Sequence, residues 1–284
     1  MTTQTNDKVG VLGLGIIGSI WAGHYHGAGL LGGAWNRTRR QQDFPVAESP
    51  AEVVRASRFL QVVVADPPAV EGLLDQILPD LTPSHVVIQS STIDPESSRR
   101  FQEKVKSAGA AYLEAPFTGS KPVAVEKKVV FYLGGDGETV KLAEPVLAAV
   151  SGTRFHIGTG ERAAALKLAM NLQIALIAEA MCESLAFAKA AGIPADMFFE
   201  VMRKNAAWSG VAALKEPKLL SGDYSPQFSV KHMHKDIRLA LRSAGGDKLP
   251  AGIAVEACFA KAAAAGWGDE DFIALMKNLE EPGA

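Results

Sequence analysis

A doubly wound α/β sheet followed by an all-helical domain is the fold class this sequence predicts, and three observations predict it. In the first half, short apolar or β-branched runs alternate with helix-like segments, the spacing of a parallel sheet with crossover helices. A glycine-rich turn, Gly13-Leu14-Gly15-Ile16-Ile17-Gly18, follows the first of those runs. From about residue 163 the pattern is helical nearly to the end. The boundary is expected near 160, giving a Rossmann-type domain over 1–160 and an all-α domain over 161–284.

Strands are expected at 8-KVGVLG-13, 31-LGGAWN-36, 59-FLQVVVA-65, 86-VVIQSS-91 and 111-AYLEA-115. Helix-like segments separate them at 50-PAEVVRAS-57, 69-AVEGLLDQIL-78 and 95-PESSRRFQEKVKSAG-109. A strand at 129-VVFYLGG-135, a helix at 138-ETVKLAEPVLAAV-150 and a short strand at 154-RFHIG-158 complete the first domain. Helices then follow at 163–191, 195–205, 207–220, 229–245, 250–265 and near 269–280. Turns at Gly192-Ile193-Pro194, Ser221-Gly222-Asp223 and Gly245-Gly246-Asp247 separate them.

Composition excludes several classes. The 284 residues are 48% hydrophobic and 21% charged, with a net charge of −2; this is ordinary globular chemistry, without the charge of a nucleic-acid or membrane-surface binder. Cys182 and Cys258 lie in apolar helical stretches and read as core thiols of a reducing, cytoplasmic compartment. The six histidines show no metal-ligand spacing, and no metal is expected. The start, MTTQTNDK, is unlike a signal peptide. Residues 9–36 contain no Asp, Glu, Lys or Arg, but their glycines, histidines and strand-turn-helix pattern oppose a membrane span.

Gly13 to Gly18 form G-x-G-x-x-G between a strand and a helix. Gly13 permits the tight turn, Gly15 lets the backbone approach a pyrophosphate, and Gly18 lets the helix pack on the strand. The second strand ends at Asn36-Arg37-Thr38, with Arg39 and Arg40 following. An NAD-type site places an acid here for the ribose 2′-hydroxyl. A carboxylate repels a 2′-phosphate and an arginine binds it, so the expected cofactor is NADP(H).

The stretch 163-AAALKLAMNLQIALIAEAM-181 is apolar almost all round, so it belongs in a core. Lys167 and Asn171 nevertheless share one of its faces, four residues apart. Beside a hydride carrier, a partly desolvated lysine gives a carbonyl oxygen its proton, and the amide orients lysine or substrate. The alternative is a lysine that snorkels over apolar neighbours.

These segments are ordered as in a known family. The chain resembles the β-hydroxyacid dehydrogenases through 11-VLGLGIIG-18, 35-WNRT-38, 65-ADPPAV-70, 90-SSTIDPESSR-99, 113-LEAPFTGSKP-122, 158-GTGERAAALKLAMN-171 and 228-FSVKHMHKDIRLAL-241. The last segment and 215-KEPKLLSGDYSPQF-228 look most like the glyoxylate/succinic semialdehyde reductase branch. The resemblance implies Lys167 as the catalytic proton donor and Asn171 as the residue that holds substrate and lysine. It implies the cofactor at Ala65, Asp66 and Val70, the nicotinamide beside Ser91 and Thr92, and substrate at Ser91. It implies a substrate carboxylate at Thr118, Gly119 and Ser120. Lys235 falls near the cofactor, and Asp236 and Phe228 near the substrate.

The chain departs from that pattern in four places. Thr118 stands where serine is usual. Ser90 or Gln89, depending on register, replaces an acid before the Ser-Thr pair. The stretch 123-VAVEKKVVFY-132 lacks the usual acid-glycine turn. Trp208 adds bulk that lines the pocket or packs in a core. The reading is an NADPH-dependent reductase of a small aldehyde or 2-oxo acid, acting reversibly as a homodimer or homotetramer. An imine reductase of related fold, and a catalytically silent NADP-binding module, are the alternatives.

Overall fold

The computed structural model describes residues 7–38 and 41–280. It divides into two compact units, Met1–Lys167 and Leu168–Ala284. Helix α7 (Gly160–Ala190) begins where the sequence changes character, and the division falls inside it.

The first unit contains β1 (Val9–Leu12), α1 (Ile16–Gly27), β2 (Leu31–Trp35), α2 (Pro50–Arg55), β3 (Phe59–Val62) and α3 (Pro67–Ile77). It continues with β4 (Val86–Gln89), α4 (Pro95–Ser107), β5 (Ala111–Glu114), β6 (Phe117–Thr118) and α5 (Lys121–Val125). Strand β7 (Val129–Gly134), α6 (Gly137–Ala148) and β8 (Ser151–Gly158) precede α7. Residues 9–36 thus fold as strand, helix and strand.

The sheet order is β2-β1-β3-β4-β5-β7-β6, with β8 paired to β7. Pairing is parallel from β2 through β5. Strands β1, β3 and β4 are buried at every position, as expected when helices cover both faces. Val9 and Val11 join a core with Trp21, Tyr25 and Phe131, while Leu12 joins another with Val53, Leu74 and Phe101.

Beyond β5 the sheet is mixed, which the sequence reading did not anticipate. Strand β7 runs antiparallel to β5, and β6 antiparallel to β7. A parallel partner needs a full crossover, and the five-residue α5 is too short to supply one. The unusual stretch after Pro122 is this helix and its exit turn, where Lys127 takes φ 57°. A lysine therefore occupies the left-handed conformation that an acid-glycine turn gives to glycine.

The second unit holds the rest of α7, α8 (Ala195–Met202), α9 (Gly210–Ser221), α10 (Val230–Ala244), α11 (Pro250–Ala262) and α12 (Lys277–Glu280). A π-helical turn at Ala263–Trp267 and a 3-10 turn at Phe272–Met276 interrupt the expected last helices. Helix α9 starts at 210 rather than 207 because the Ser209 hydroxyl caps it, accepting from Ala212 N–H. By length and composition α7 could cross a membrane, but Ala175, Ala178, Met181, Cys182 and Leu185 pack into this unit's own core. Trp208 packs against the same core. Cys182 and Cys258 are free thiols.

A buried ion pair ties α9 to the 3-10 turn. Lys215 Nζ lies 2.7 and 3.0 Å from the two Asp271 oxygens, both residues being fully buried. The ammonium also sits 4.3 Å from the centre of the Phe272 ring, and Asp271 accepts from Gln227 N–H. Burial pushes the Lys215 pKa down against the pull of Asp271. Removing one partner strands the other charge in the core, so Lys215→Ala should cost about 3–5 kcal/mol. Urea unfolding of the variant checks this.

Candidate active site

Three backbones meet at the end of β1. A Cβ at Gly13, where φ is +107°, would lie 2.1 Å from the Val63 carbonyl oxygen, and one at Gly18 would lie 1.9 Å from the Gly13 oxygen. Only glycine fits either position. Gly15 has nothing within 4 Å of its missing Cβ, and as N-cap of α1 it provides no side-chain cap. No side chain caps the first N–H groups of α1, which leaves them to an anion as helix N-termini allow. Ile16 and Ile17 start the helix, and Ile16 is half exposed. The site lies at the C-terminal edge of the strands, where β1 gives way to its neighbours β2 and β3, the usual nucleotide position in such sheets.

Asn36 is taken up by the protein itself. Its Oδ1 accepts from Leu14 N–H at 2.9 Å, and its Nδ2 donates to Thr38 O at 2.7 Å. The side chain fixes the loop against the end of β2, and Leu14 buries its own side chain. Arg37 and Thr38 are exposed beside it. Arg39 and Arg40 lie outside the described residues. These features fit a nicotinamide dinucleotide, with Arg37 and Thr38 available to a 2′-phosphate.

The neighbouring loops are built from caps. Asp66 caps α3 by accepting from Ala69 N–H at 2.9 Å, and Ala65 before it is exposed. Val70 is fully buried with Leu73 and Leu74, where it packs α3 into the core. Ser91 is also buried, and its Oγ accepts from Val64 N–H at 2.8 Å. That hydroxyl oxygen joins the ends of β3 and β4 instead of standing open to substrate. Thr92 is partly exposed.

On the far part of the sheet, Thr118 ends β6 and pairs in register with Val130 of β7. Gly119 follows at φ +133°, and a Cβ there would touch Val123 and Val129 at 3.0 Å. The Ser120 hydroxyl is buried without a hydrogen-bond partner in the protein, a state that costs free energy until a ligand completes it. Lys167 is 8% exposed, with its ammonium 5.9 Å from the centre of the Phe117 ring. Phe117 directly precedes Thr118, so the first unit holds the lysine beside the start of this loop.

In the second unit Asn171 Nδ2 donates to Asp236 Oδ2 at 2.6 Å, and Lys235 Nζ lies 2.8 Å from Asp236 Oδ1. Asp236 is 1% exposed. Its oxygens hold Asn171 and Lys235. Phe228 stacks on His232 and packs edge-on against Phe272. His232 bonds Ser229 through Nδ1, and burial with Lys235 and Lys231 nearby lowers its pKa.

Sequence reasoning missed one buried group altogether. Glu114 is fully buried and receives three hydrogen bonds, from Ser98 Oγ at 2.6 Å, Tyr112 OH at 2.7 Å and Gln89 Nε2 at 2.7 Å. The neutral residue noted before the Ser-Thr pair was the available signal: Gln89, one of the two candidates, is the side chain that bonds Glu114. Burial pushes Glu114 up to about 7, against those hydrogen bonds. Among the described residues no group of three or more His, Cys, Asp or Glu side chains gathers as a metal would need.

Comparison with known proteins agrees with this architecture. Residues 8–158 match the family model for the NAD binding domain of 6-phosphogluconate dehydrogenase. Residues 160–279 match that for the NAD-binding region of NADP-dependent 3-hydroxyisobutyrate dehydrogenase. Glyoxylate/succinic semialdehyde reductase 1 of Arabidopsis thaliana is 29% identical, over 96% of this chain and 98% of that protein. A 3-hydroxyisobutyrate dehydrogenase structure from Salmonella typhimurium superposes with a TM-score of 0.87 at 25% identity, covering 96% of this chain and 99% of its own. An imine reductase from Pseudomonas sp. has the fold at a TM-score of 0.63 and 21% identity, covering 97% of this chain and 100% of its own.

The raised Glu114 pKa has a stability consequence. The folded protein holds this proton to about 7, whereas the unfolded chain releases it near the ordinary 4.5. The stabilisation of the neutral form is full below the unfolded value and is lost as pH rises through that window. Glu114→Gln should therefore flatten the fall in unfolding midpoint between pH 5 and pH 8. Urea titrations of both proteins across that range test it.

Proposed function

The chain belongs to the β-hydroxyacid dehydrogenase family, 3-hydroxyisobutyrate dehydrogenase-like, and from that premise we propose an NADPH-dependent reductase of a small aldehyde or 2-oxo acid. It is an NAD(P)-binding oxidoreductase of a group that acts on small molecules. The finer reading is of glyoxylate or succinic semialdehyde type, reversible toward the hydroxy acid. One observation carries it most directly: the buried Lys167 ammonium lies against Phe117, at the start of the Thr118-Gly119-Ser120 loop.

In this reading the substrate carboxylate is held by Thr118, the Gly119 backbone and the unpartnered Ser120 hydroxyl. The bound dinucleotide supplies the hydride. Lys167 protonates the carbonyl oxygen as charge develops on it, and burial strengthens that interaction. Asn171, one turn further along the same helix, is a positioning amide whose orientation Asp236 sets. Arg37 and Thr38 favour NADP(H) over NAD(H) because a 2′-phosphate gains a guanidinium partner and meets no acid. The free thiols suit a reducing, cytoplasmic compartment. Exposed Phe187, Met197 and Val201 suit a homodimer or homotetramer, which light scattering would oppose by finding a monomer.

Two measurements test the chemistry. NADPH oxidation with glyoxylate or succinic semialdehyde should fall about 10²–10⁴-fold in Lys167→Ala. Turnover of a cyclic imine alone, or activity untouched by the substitution, would sink the assignment; tight NADPH binding with no carbonyl turnover would indicate a silent module. Arg37→Asp should weaken NADPH about tenfold or more while leaving NADH nearly unchanged. Equal loss for both cofactors would remove Arg37 from the 2′-phosphate site.

A further inference from the structure

Gln89 and Glu114 face one another in register across β4 and β5. The Gln89 amide clasps both backbone groups of one residue: Oε1 accepts from Ser91 N–H at 2.7 Å and Nε2 donates to Ser91 O at 2.9 Å. Its Nε2 also donates to Glu114 Oε1, so the amide is locked in one orientation. Swapping its O and N would set nitrogen against Ser91 N–H and oxygen against the carboxylate. Glu114 is in turn held by Ser98 of α4 and Tyr112 of its own strand. A Cβ at Gly160 would lie 3.0 Å from Ser98 Oγ and 3.4 Å from Glu114 Cβ, so the first residue of α7 rests on the same cluster. A buried, fully hydrogen-bonded polar network of this kind specifies one geometry and penalises others.

We propose that Glu114 is a positioning residue for the nicotinamide end of the cofactor site, acting through Gln89 to hold the Ser91-Thr92 loop. The inference rests on the reading above that this loop borders the nicotinamide. Glu114 touches no ligand; it fixes the amide that fixes the loop. The phosphate loop at Gly13 to Gly18 packs on Val63 and Val64, one hydrogen bond removed from Ser91, whereas Gln89 holds the Ser91 backbone directly.

The test compares NADPH with 2′-phospho-ADP-ribose, which lacks the nicotinamide ring, by fluorescence and calorimetric titration at pH 8. Gln89→Glu keeps an acceptor for Ser91 N–H but removes the donor to Ser91 O, and beside Glu114 one of the two carboxyls must keep its proton or repel the other. It should weaken NADPH about tenfold and leave the truncated ligand within twofold. The exchange Gln89→Glu with Glu114→Gln restores one donor and one acceptor across the strands and should recover most of the loss. Should Gln89→Glu fail to fold, Gln89→Met makes the same prediction for the two ligands. A purely structural defect would weaken both ligands alike, and that result overturns the proposal, as does an exchange that recovers nothing. Wild-type preference for NADPH that survives Gln89→Glu overturns this proposal alone. Equal wild-type affinity for both ligands overturns the nicotinamide placement and the proposal together.

Discussion

Helix α1 can reach the end of β1 only because no side chain stands between them. Gly13 and Gly18 bring the helix, the Gly13 carbonyl and the Val63 carbonyl into contact at distances where a Cβ would collide. This close approach aims the uncapped first turn of α1 along the C-terminal edge of the sheet. Asn36 then binds Leu14 N–H and Thr38 O, so the end of β2 is set by the same loop. The placement of Arg37 and Thr38 follows from that contact.

A second constraint is the cost of polar groups in the interior. The protein meets it differently in each place. Lys215 and Asp271 neutralise one another, with backbone N–H groups and an aromatic face completing the shell. Asp236 is shared between an amide and an ammonium. Glu114 has no cation among its hydrogen-bond partners; three neutral donors surround it, and hydrogen bonds alone leave its pKa raised. Lys167 places its ammonium near the face of the Phe117 ring, a weakly solvating surface.

These differences separate residues that build the site from residues that act in it. Asp236, Asn36, Asp66 and Ser91 each spend side-chain oxygens on other protein groups. The buried Ser120 hydroxyl has no such partner, and Gly15 faces open space.

The strand and helix periods, the glycine loop and the apolar helix with Lys167 and Asn171 were legible in the residues, because they express local backbone constraints. A missing Cβ, a capping Asp66 or a run of β-branched residues acts on its immediate neighbours. The antiparallel return at β7, the left-handed Lys127 and the short β6 were not legible, since each depends on how a short connection closes against a distant strand. The same holds for the side chains: the sequence offered Asn36, Ser91, Val70 and Asp236 as ligand contacts, and only the fold shows that Asn36, Ser91 and Asp236 bond other protein groups and that Val70 packs with Leu73 and Leu74. By itself the sequence determined the family, the order of elements and the residue types available for chemistry. Tertiary structure decided which of those residues are already satisfied, because partners such as Gln89 and Glu114, or Asn171 and Asp236, lie far apart in the chain and meet only when the strands and helices pack.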